Sequence, residues 1–498
     1  MTGIISSVFF IMAASGIFMD RLELKIPGHI NSIVPADLDG DGNNEILVFW
    51  RQGIFPKQKH RVSVYSGAER VEKKQAYQVL SLPRYTAGID VGDVDGDGRA
   101  DVLLLCASGV EYLKGQKGGV LEKTPRSLLR VMTLAALPGG DFIPRIKLLV
   151  DMGQGKIGIV LPTVPIGMLS LYEPHGSEWR LNAMMRVPTR ESLYSSVEDS
   201  KSSRDFSSLF RIALPRFDIM DFDGDSRKDI IFFSKDSISV FLQRKGGKFP
   251  NVPDLVRSFG LITLKERRHG GTRVRGCAAD FNGDGHADIM FNKATGGIAN
   301  AENHVFLFFS RAGCVLPQKP DMVISSDGYG AFVKAVDVDG DGITDLVRPY
   351  VKMGIMAMGQ VLMTGKLDVK FYVHLCRKGL PSQNPQIILN SSYSVNFRSN
   401  QELKGIYPIF GADFTGDGRP DVLLSQAGGG SGKTPDVIQL FAGDEKGFSQ
   451  EPVWSMELRA TTHAQIYSPG ANSLPGIILV FDDDETSDVL VVTNKNST

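Results

Sequence analysis

Acidic side chains recur in this 498-residue chain at a fixed spacing that suits one chemistry, the wrapping of a hard cation in oxygen atoms. The copies read DLDGDGNNE from Asp37, DVDGDGRAD from Asp93, DFDGDSRKD from Asp221, DFNGDGHAD from Asp280, DVDGDGITD from Asp337 and DFTGDGRPD from Asp413. Oxygen-bearing side chains stand at positions 1, 3, 5 and 9, and glycine at 4 and 6 lets the backbone turn tightly enough for them to converge. Carboxylates packed this closely repel one another unless a cation reconciles them, and an all-oxygen shell of this size selects calcium.

In the first loop Asp37, Asp39, Asp41 and Glu45 are assigned as side-chain ligands, with the Asn43 carbonyl as a backbone ligand. The matching sets are Asp93, Asp95, Asp97, Arg99 and Asp101; Asp221, Asp223, Asp225, Arg227 and Asp229; Asp280, Asn282, Asp284, His286 and Asp288. The last two are Asp337, Asp339, Asp341, Ile343 and Asp345, and Asp413, Thr415, Asp417, Arg419 and Asp421. The variety at position 7 is expected if only its main-chain carbonyl is used, since any residue offers one. Asn282 and Thr415 replace acids and Ser226 replaces a glycine, so those three sites are expected to bind more weakly. The closing acid comes at position 9 rather than 12, which excludes an EF-hand.

Two degenerate copies, DMGQGKIGI from Asp151 and VFDDDETSD from Val480, complete a series whose starts lie 56 to 76 residues apart. The Asp151 copy keeps only its first acid and is expected to hold no metal. Each loop lies between apolar runs, such as Ser32-Ile33-Val34 before and Ile46-Leu47-Val48 after, so it reads as the turn of an antiparallel strand pair. A third strand follows in Val62–Tyr65, Ile238–Leu242, Val305–Phe309, Val369–His374 and Val437–Phe441, and a fourth in Val79–Leu82 and Gln386–Leu389. Four strands per period with almost no helix predict an all-β propeller, with eight blades favoured and seven the alternative; solenoid coils are much shorter.

The DxDGDGxxD pattern followed by an apolar strand resembles the FG-GAP and VCBS-type repeats of integrin α-subunit propellers and of many bacterial surface proteins. The resemblance covers nearly the whole chain. It implies calcium in the hairpin loop between the first two strands of a blade, at about six sites.

Only ten residues follow Asp488, so the last blade must borrow strands from the N-terminus, and the alternating Leu22–Ile26 is the expected closing strand. Residues 4–18 have the length and small-residue ending of a secretory signal, although no Lys or Arg precedes Arg21. The other reading makes Val8–Met12 a strand of the final blade. We take the signal reading, which leaves 19–498 as a single propeller.

The formal charge of −1 conceals an asymmetry. The six loops hold 22 of the 56 acids, leaving 34 against 55 Lys and Arg; six bound calcium ions would bring the net charge to +11. A loaded propeller therefore suits anionic partners. The densest basic run, Lys265 to Arg275, connects two blades opposite the acidic loops, and its Arg267, Arg268, Arg273 and Arg275 are candidate ligand-face residues.

Other motifs carry less. AGGGSGKT from Ala427 resembles a phosphate loop, but Pro435 and a strand follow it where a helix is required. The eight histidines, among them His175, His286, His304 and His374, show no zinc spacing. No motif or aromatic interleaving indicates nucleic acid, and no apolar run reaches membrane-spanning length. The four cysteines form no C-x-x-C pair, though Cys314 and Cys376 follow equivalent strands and one bridge is open to them. Ser192–Ser208 reads as a mobile serine-rich insertion.

These features predict a monomeric, non-enzymatic binding, adhesion or scaffold protein that is secreted, periplasmic or on the cell surface. Its expected ligand is a protein or polysaccharide, with an anionic one favoured. Two rivals remain: an enzyme, since some polysaccharide lyases resemble this architecture, and a purely structural part of a surface assembly.

Overall fold

The computed structural model describes residues 19–494 apart from 54–56, 67–74, 136–141, 189, 198–205, 214, 270, 297–300, 312, 314, 328–332, 352–354, 378, 380, 397–401, 429–434, 459–460, 471–472 and 483–486. Val8–Met12, Cys314 and most of the glycine-rich AGGGSGKT segment lie outside the described residues.

Eight antiparallel sheets succeed one another, seven of four strands and one of five, and form an eight-bladed propeller. The first blade shows the order: His29–Ala36, Glu45–Gln52, Lys59–Tyr65 and Gln78–Ser81. The first strands of the next six blades are Gly88–Gly92, Leu149–Asp151, Arg216–Met220, Arg273–Ala279, Lys334–Val336 and Ile409–Ala412. The eighth blade starts with Thr461–Tyr467. First strands touch those of a neighbouring blade, as His29–Ala36 does Gly88–Gly92 and Arg216–Met220 does Arg273–Ala279, which places them toward the propeller axis.

Second strands are buried on both faces because every blade is sandwiched between two others. That is why they read as unbroken apolar runs: Asp101–Cys106 is buried throughout, and Asp229–Ser234 and Asp421–Gln426 all but at their last residue. Leu47 and Phe49 of the first blade pack with Ile89, Val102 and Leu104 of the second, so one core cluster belongs to two blades. Each such side chain contributes about 1.5–3 kcal/mol by leaving water.

Ring closure follows the expected route. Met19–Ile26 is the outer strand of the eighth blade, with Leu22 opposite Val491 and Leu24 opposite Val489. Leu24 and Ile26 are fully buried in a cluster shared with Ile46, Val48 and Trp50 of the first blade. The ends of the chain thus fasten the last blade to the first.

Two local expectations change. The serine-rich insertion is a paired ribbon, Arg190–Val197 against Phe206–Ala213, since Phe206, Leu209, Phe210 and Ile212 supply the β-propensity that its serines obscure. The basic run is not one loop: Leu264–His269 is a short helix, and Arg273–Ala279 is the first strand of the fifth blade. Thr263 and Glu266 exchange hydrogen bonds as a capping box, with Thr263 N donating to Glu266 Oε2 at 2.7 Å and Glu266 N to Thr263 Oγ1 at 3.2 Å. A second helix, Ile355–Thr364, joins two strands of the sixth blade. Cys106, Cys277 and Cys376 are buried free thiols.

Candidate metal centres

Every intact loop is folded by its own acids. The position-1 carboxylate takes the N–H of position 4 on one oxygen and of position 6 on the other; in the first loop Gly40 and Gly42 donate to Asp37 at 2.6 and 2.9 Å. The same pair recurs on Asp93, Asp221, Asp280, Asp337 and Asp413. Both donors have positive φ, as at Gly340 (79°) and Gly342 (85°), a region glycine enters without strain. Ser226 is the exception, held at φ 66° with its N–H 2.7 Å from Asp221 Oδ2.

Position 5 accepts the N–H of position 7 at 2.8–3.0 Å in all six loops. This turns position 7 at the main chain and leaves its side chain free for other work. Arg99 and Arg227 use theirs to donate to the carbonyls of Gly115 and Gln243.

Position 9 begins the second strand and is buried in every intact loop, from Glu45 to Asp421. It accepts the N–H of position 2, as from Leu38 to Glu45 at 2.9 Å and from Phe414 to Asp421 at 2.7 Å. Its other oxygen takes a backbone N–H beyond the third strand, from Gly115, Gln243, Ser310, Cys376 and Gly443 to the five aspartates. Burial, reinforced by nearby loop carboxylates, pushes Glu45, Asp288 and Asp345 up to about 7 and Asp101, Asp229 and Asp421 up to about 6, despite these donors.

Among the described residues, carboxylate oxygens of three acids lie within 4.8 Å of one another in five loops: Asp37, Asp39 and Asp41; Asp93, Asp95 and Asp101; Asp221, Asp223 and Asp225; Asp337, Asp339 and Asp345; Asp413, Asp417 and Asp421. Calcium–oxygen bonds of about 2.3–2.6 Å allow two ligands on opposite sides of an ion to stand about 5 Å apart, so the donor set fits calcium. The loop at Asp280 is different: Asn282 donates its amide to Asp284 Oδ2 at 3.0 Å, so one acid is already partnered. Thr415 leaves its loop with three acids and sets its hydroxyl 3.3 Å from Asp413.

Cations also approach the loops. Lys114 pairs with Asp95 and Asp97, Arg99 with Asp97, and Arg227 with Asp225. In the degenerate third blade, Asp151 is paired with Lys228 at 2.5 Å, which neutralises its single acid. Neighbouring loops are tied to each other: Ala100 donates to the Asp37 carbonyl at 2.7 Å, Ala287 to Asp221 at 2.8 Å and Thr344 to Asp280 at 3.0 Å. The acidic loops therefore form linked segments on one face.

The four arginines proposed for the opposite face do not converge. Arg267 lies 3.7 Å from the buried Asp236, Arg268 is exposed on the same short helix, Arg273 opens the strand, and Arg275 lines a cavity at the inner ring. His374 is fully buried, His304 bonds Ser325, and His286 lies beside Asp284. Asp436–Phe441 is a strand, which removes the helix a phosphate loop needs. No helix among the described residues is long and apolar enough to cross a membrane.

Residues 221–291 match the sequence model of the FG-GAP-like repeat family, a stretch that includes the loops at Asp221 and Asp280. No curated protein matches the chain in sequence. Among solved structures, an Agrocybe aegerita lectin described as recognising non-reducing terminal N-acetylglucosamine is 15% identical, over 90% of this chain and 92% of its own, with a TM-score of 0.35. The Dos1 propeller is 7% identical over 92% and 95%, with a TM-score of 0.35. The V. cholerae biofilm matrix protein Bap1 is 12% identical over 83% and 88%, with a TM-score of 0.31. Likeness at this level transfers neither ligand nor activity, and the match to the repeat does not single out integrins. The chain is an eight-bladed β-propeller that carries an FG-GAP-like repeat.

Proposed function

We propose that this chain is a calcium-stabilised binding protein that works outside the cytoplasm, secreted, periplasmic or on the cell surface, and takes an anionic macromolecule on the face opposite its acidic loops. The observation that carries the reading is the common architecture of the six loops, in which position 1 folds the turn, position 5 orients position 7 and position 9 anchors the loop to its blade. Bound calcium would supply the positive charge that three crowded carboxylates lack. Sites built from exposed loops suit the calcium-rich surroundings outside cells, where extracellular modules bind at about 10⁻⁴–10⁻³ M.

The choice of partner rests on charge. With the loops neutralised, 34 acids face 55 Lys and Arg in the rest of the chain, and strand alternation puts the Leu264–His269 helix on the face away from the loops. A monomeric propeller with its acidic loops neutralised by metal and an excess of Lys and Arg over the rest of the chain would hold an acidic polysaccharide, or an acidic protein, without cleaving it.

The test passes the calcium-loaded protein over immobilised polygalacturonate and over neutral dextran, with product release followed in parallel. Retention on the acidic polymer alone, weakened by salt and without new chain ends, is the expected result. Release of unsaturated oligosaccharides would favour the polysaccharide lyase alternative; equal passage over both columns would leave a structural role.

A further inference from the structure

We propose that the face opposite the acidic loops docks onto an anionic lipid bilayer, with the apolar helix Ile355–Thr364 entering the headgroup layer and Lys235 and Arg268 meeting lipid phosphates. This contact is additional to the polysaccharide contact proposed above and independent of it.

The topology decides which side chains share that face. In each blade the first strand runs toward its acidic loop, so the turn from second to third strand and the link to the next blade both lie at the other end. Those connections expose large apolar side chains. Met132 is 71% exposed in the link from blade two to blade three, Ile166 is exposed in the turn after the second strand of blade three, and Leu264 is 76% exposed on the short helix that leads into blade five. At the acidic end only Tyr77, Val252 and Val315 are comparable among the described residues.

The helix of blade six, IMAMGQVLMT, contains no charged residue. Met356 and Met363 stand seven positions apart, hence on one side of it, and are 87% and 89% exposed; Leu362 beside Met363 is exposed as well. A helix of ten residues draws its stability from packing an apolar face, yet these side chains meet water in the isolated chain.

Nearby connections carry the charge that suits anionic headgroups. The turn of blade four and the link to blade five hold Lys235, Lys265, Arg267 and Arg268 against Asp236 and Glu266. Asp236 is buried 3.7 Å from Arg267, and Glu266 is paired with Lys293 at 2.7 Å, so both acids are already matched within the protein. Lys235 and Arg268 are exposed and have no carboxylate within ion-pair distance among the described residues. Because the apolar side chains stand on connections of several successive blades, one flat partner reaches them together. Its phosphates would pair with the free cations while the flexible methionine and leucine chains enter the acyl boundary.

Co-sedimentation of the full calcium-loaded chain tests this, with vesicles of phosphatidylcholine alone and of phosphatidylcholine mixed equally with phosphatidylglycerol. Binding to the mixed vesicles, weakened by salt, is expected, with little or none to the neutral ones. Met356→Gln, Leu362→Gln and Met363→Gln combined are expected to lower that affinity about tenfold or more, while the melting temperature and polygalacturonate retention stay those of the wild type. Lys235→Gln with Arg268→Gln is expected to weaken binding to the mixed vesicles and flatten its salt dependence. Vesicle binding that the triple variant keeps in full overturns the docking surface, and its loss in EGTA would then assign it to calcium bridging. Wild-type protein that sediments with neither vesicle also overturns it and leaves the polysaccharide reading intact. Self-association without vesicle binding, abolished in the triple variant, overturns it too and makes the helix a contact between copies of the chain.

Discussion

Asp345 Oδ1 accepts the backbone N–H of Cys376 at 2.7 Å, just past the end of the third strand, whose last residue His374 lies opposite Leu346. Its other oxygen accepts the Val338 N–H at 2.8 Å, so one buried carboxylate fixes both the turn and the strand exit of the sixth blade. This double duty separates position 9 from position 3, where Asp339 makes its loop contact only with the Asp341 N–H, at 3.3 Å.

Asp345→Ala should therefore destabilise the protein in chelator as well as in calcium, by about 2–4 kcal/mol, because two buried N–H groups lose their acceptor. Asp339→Ala should act mainly in calcium, by shrinking the stabilisation that the metal provides. Denaturant unfolding of both variants, with and without EGTA, checks the contrast. Equal calcium dependence in the two would show that positions 3 and 9 do not divide the work this way.

Asp151→Ala should cost under about 1 kcal/mol and leave calcium dependence untouched, since the acid is largely exposed and its partner is Lys228. Thermal melts of this variant beside Asp339→Ala at saturating and limiting calcium provide the comparison. A calcium effect at Asp151 as large as at Asp339 would contradict the ranking of the loops.

Ser226 occupies a left-handed conformation that the other five intact loops give to glycine. Ser226→Gly should stabilise the fold by about 0.5–1 kcal/mol, since relief of side-chain strain outweighs the extra freedom of the unfolded chain. An unchanged or lower unfolding midpoint in urea would mean that the serine hydroxyl makes a contact worth the strain.

His374 is fully buried, its Nδ1 lies 3.1 Å from the Ser382 carbonyl, and its Nε2 has no partner. Burial, with Arg348 adding to it, pushes its pKa down from 6.5 to about 4. The unfolded chain then binds a proton that the native protein refuses, so this contribution is complete above about pH 6.5 and is lost as pH falls toward 4, to a limit of about 3 kcal/mol. Melts of wild type and His374→Gln across that window should show a shallower pH slope for the variant; parallel slopes would remove His374 from the acid response.

The propeller was legible in the chain because each blade repeats one local device, and the residues of that device are consecutive. Spacing alone placed the loops, and Leu22–Ile26 could be assigned to the last blade from the shortage of chain after Asp488. The helix Ile355–Thr364 was missed because its uncharged, methionine-rich sequence carries no capping signal, and the shorter one was missed because its capping pair, Thr263 and Glu266, adjoins a basic run that read as a plain connection between blades. The inner-ring pocket was not legible at all. Arg216, Arg275 and Lys334 belong to three blades and come to line one cavity only once the blades are side by side.

The central claim is that the acidic loops hold calcium and that the metal holds the propeller together. Equilibrium dialysis of the chelator-stripped protein against ⁴⁵Ca²⁺, with a melting curve recorded at each calcium concentration, tests it most directly. The account predicts uptake of about five or six ions, set by the five three-carboxylate clusters and the weaker Asp280 loop, with a melting temperature that climbs as they fill. Uptake of fewer than one ion at millimolar calcium, with a melting temperature indifferent to EGTA, would contradict it.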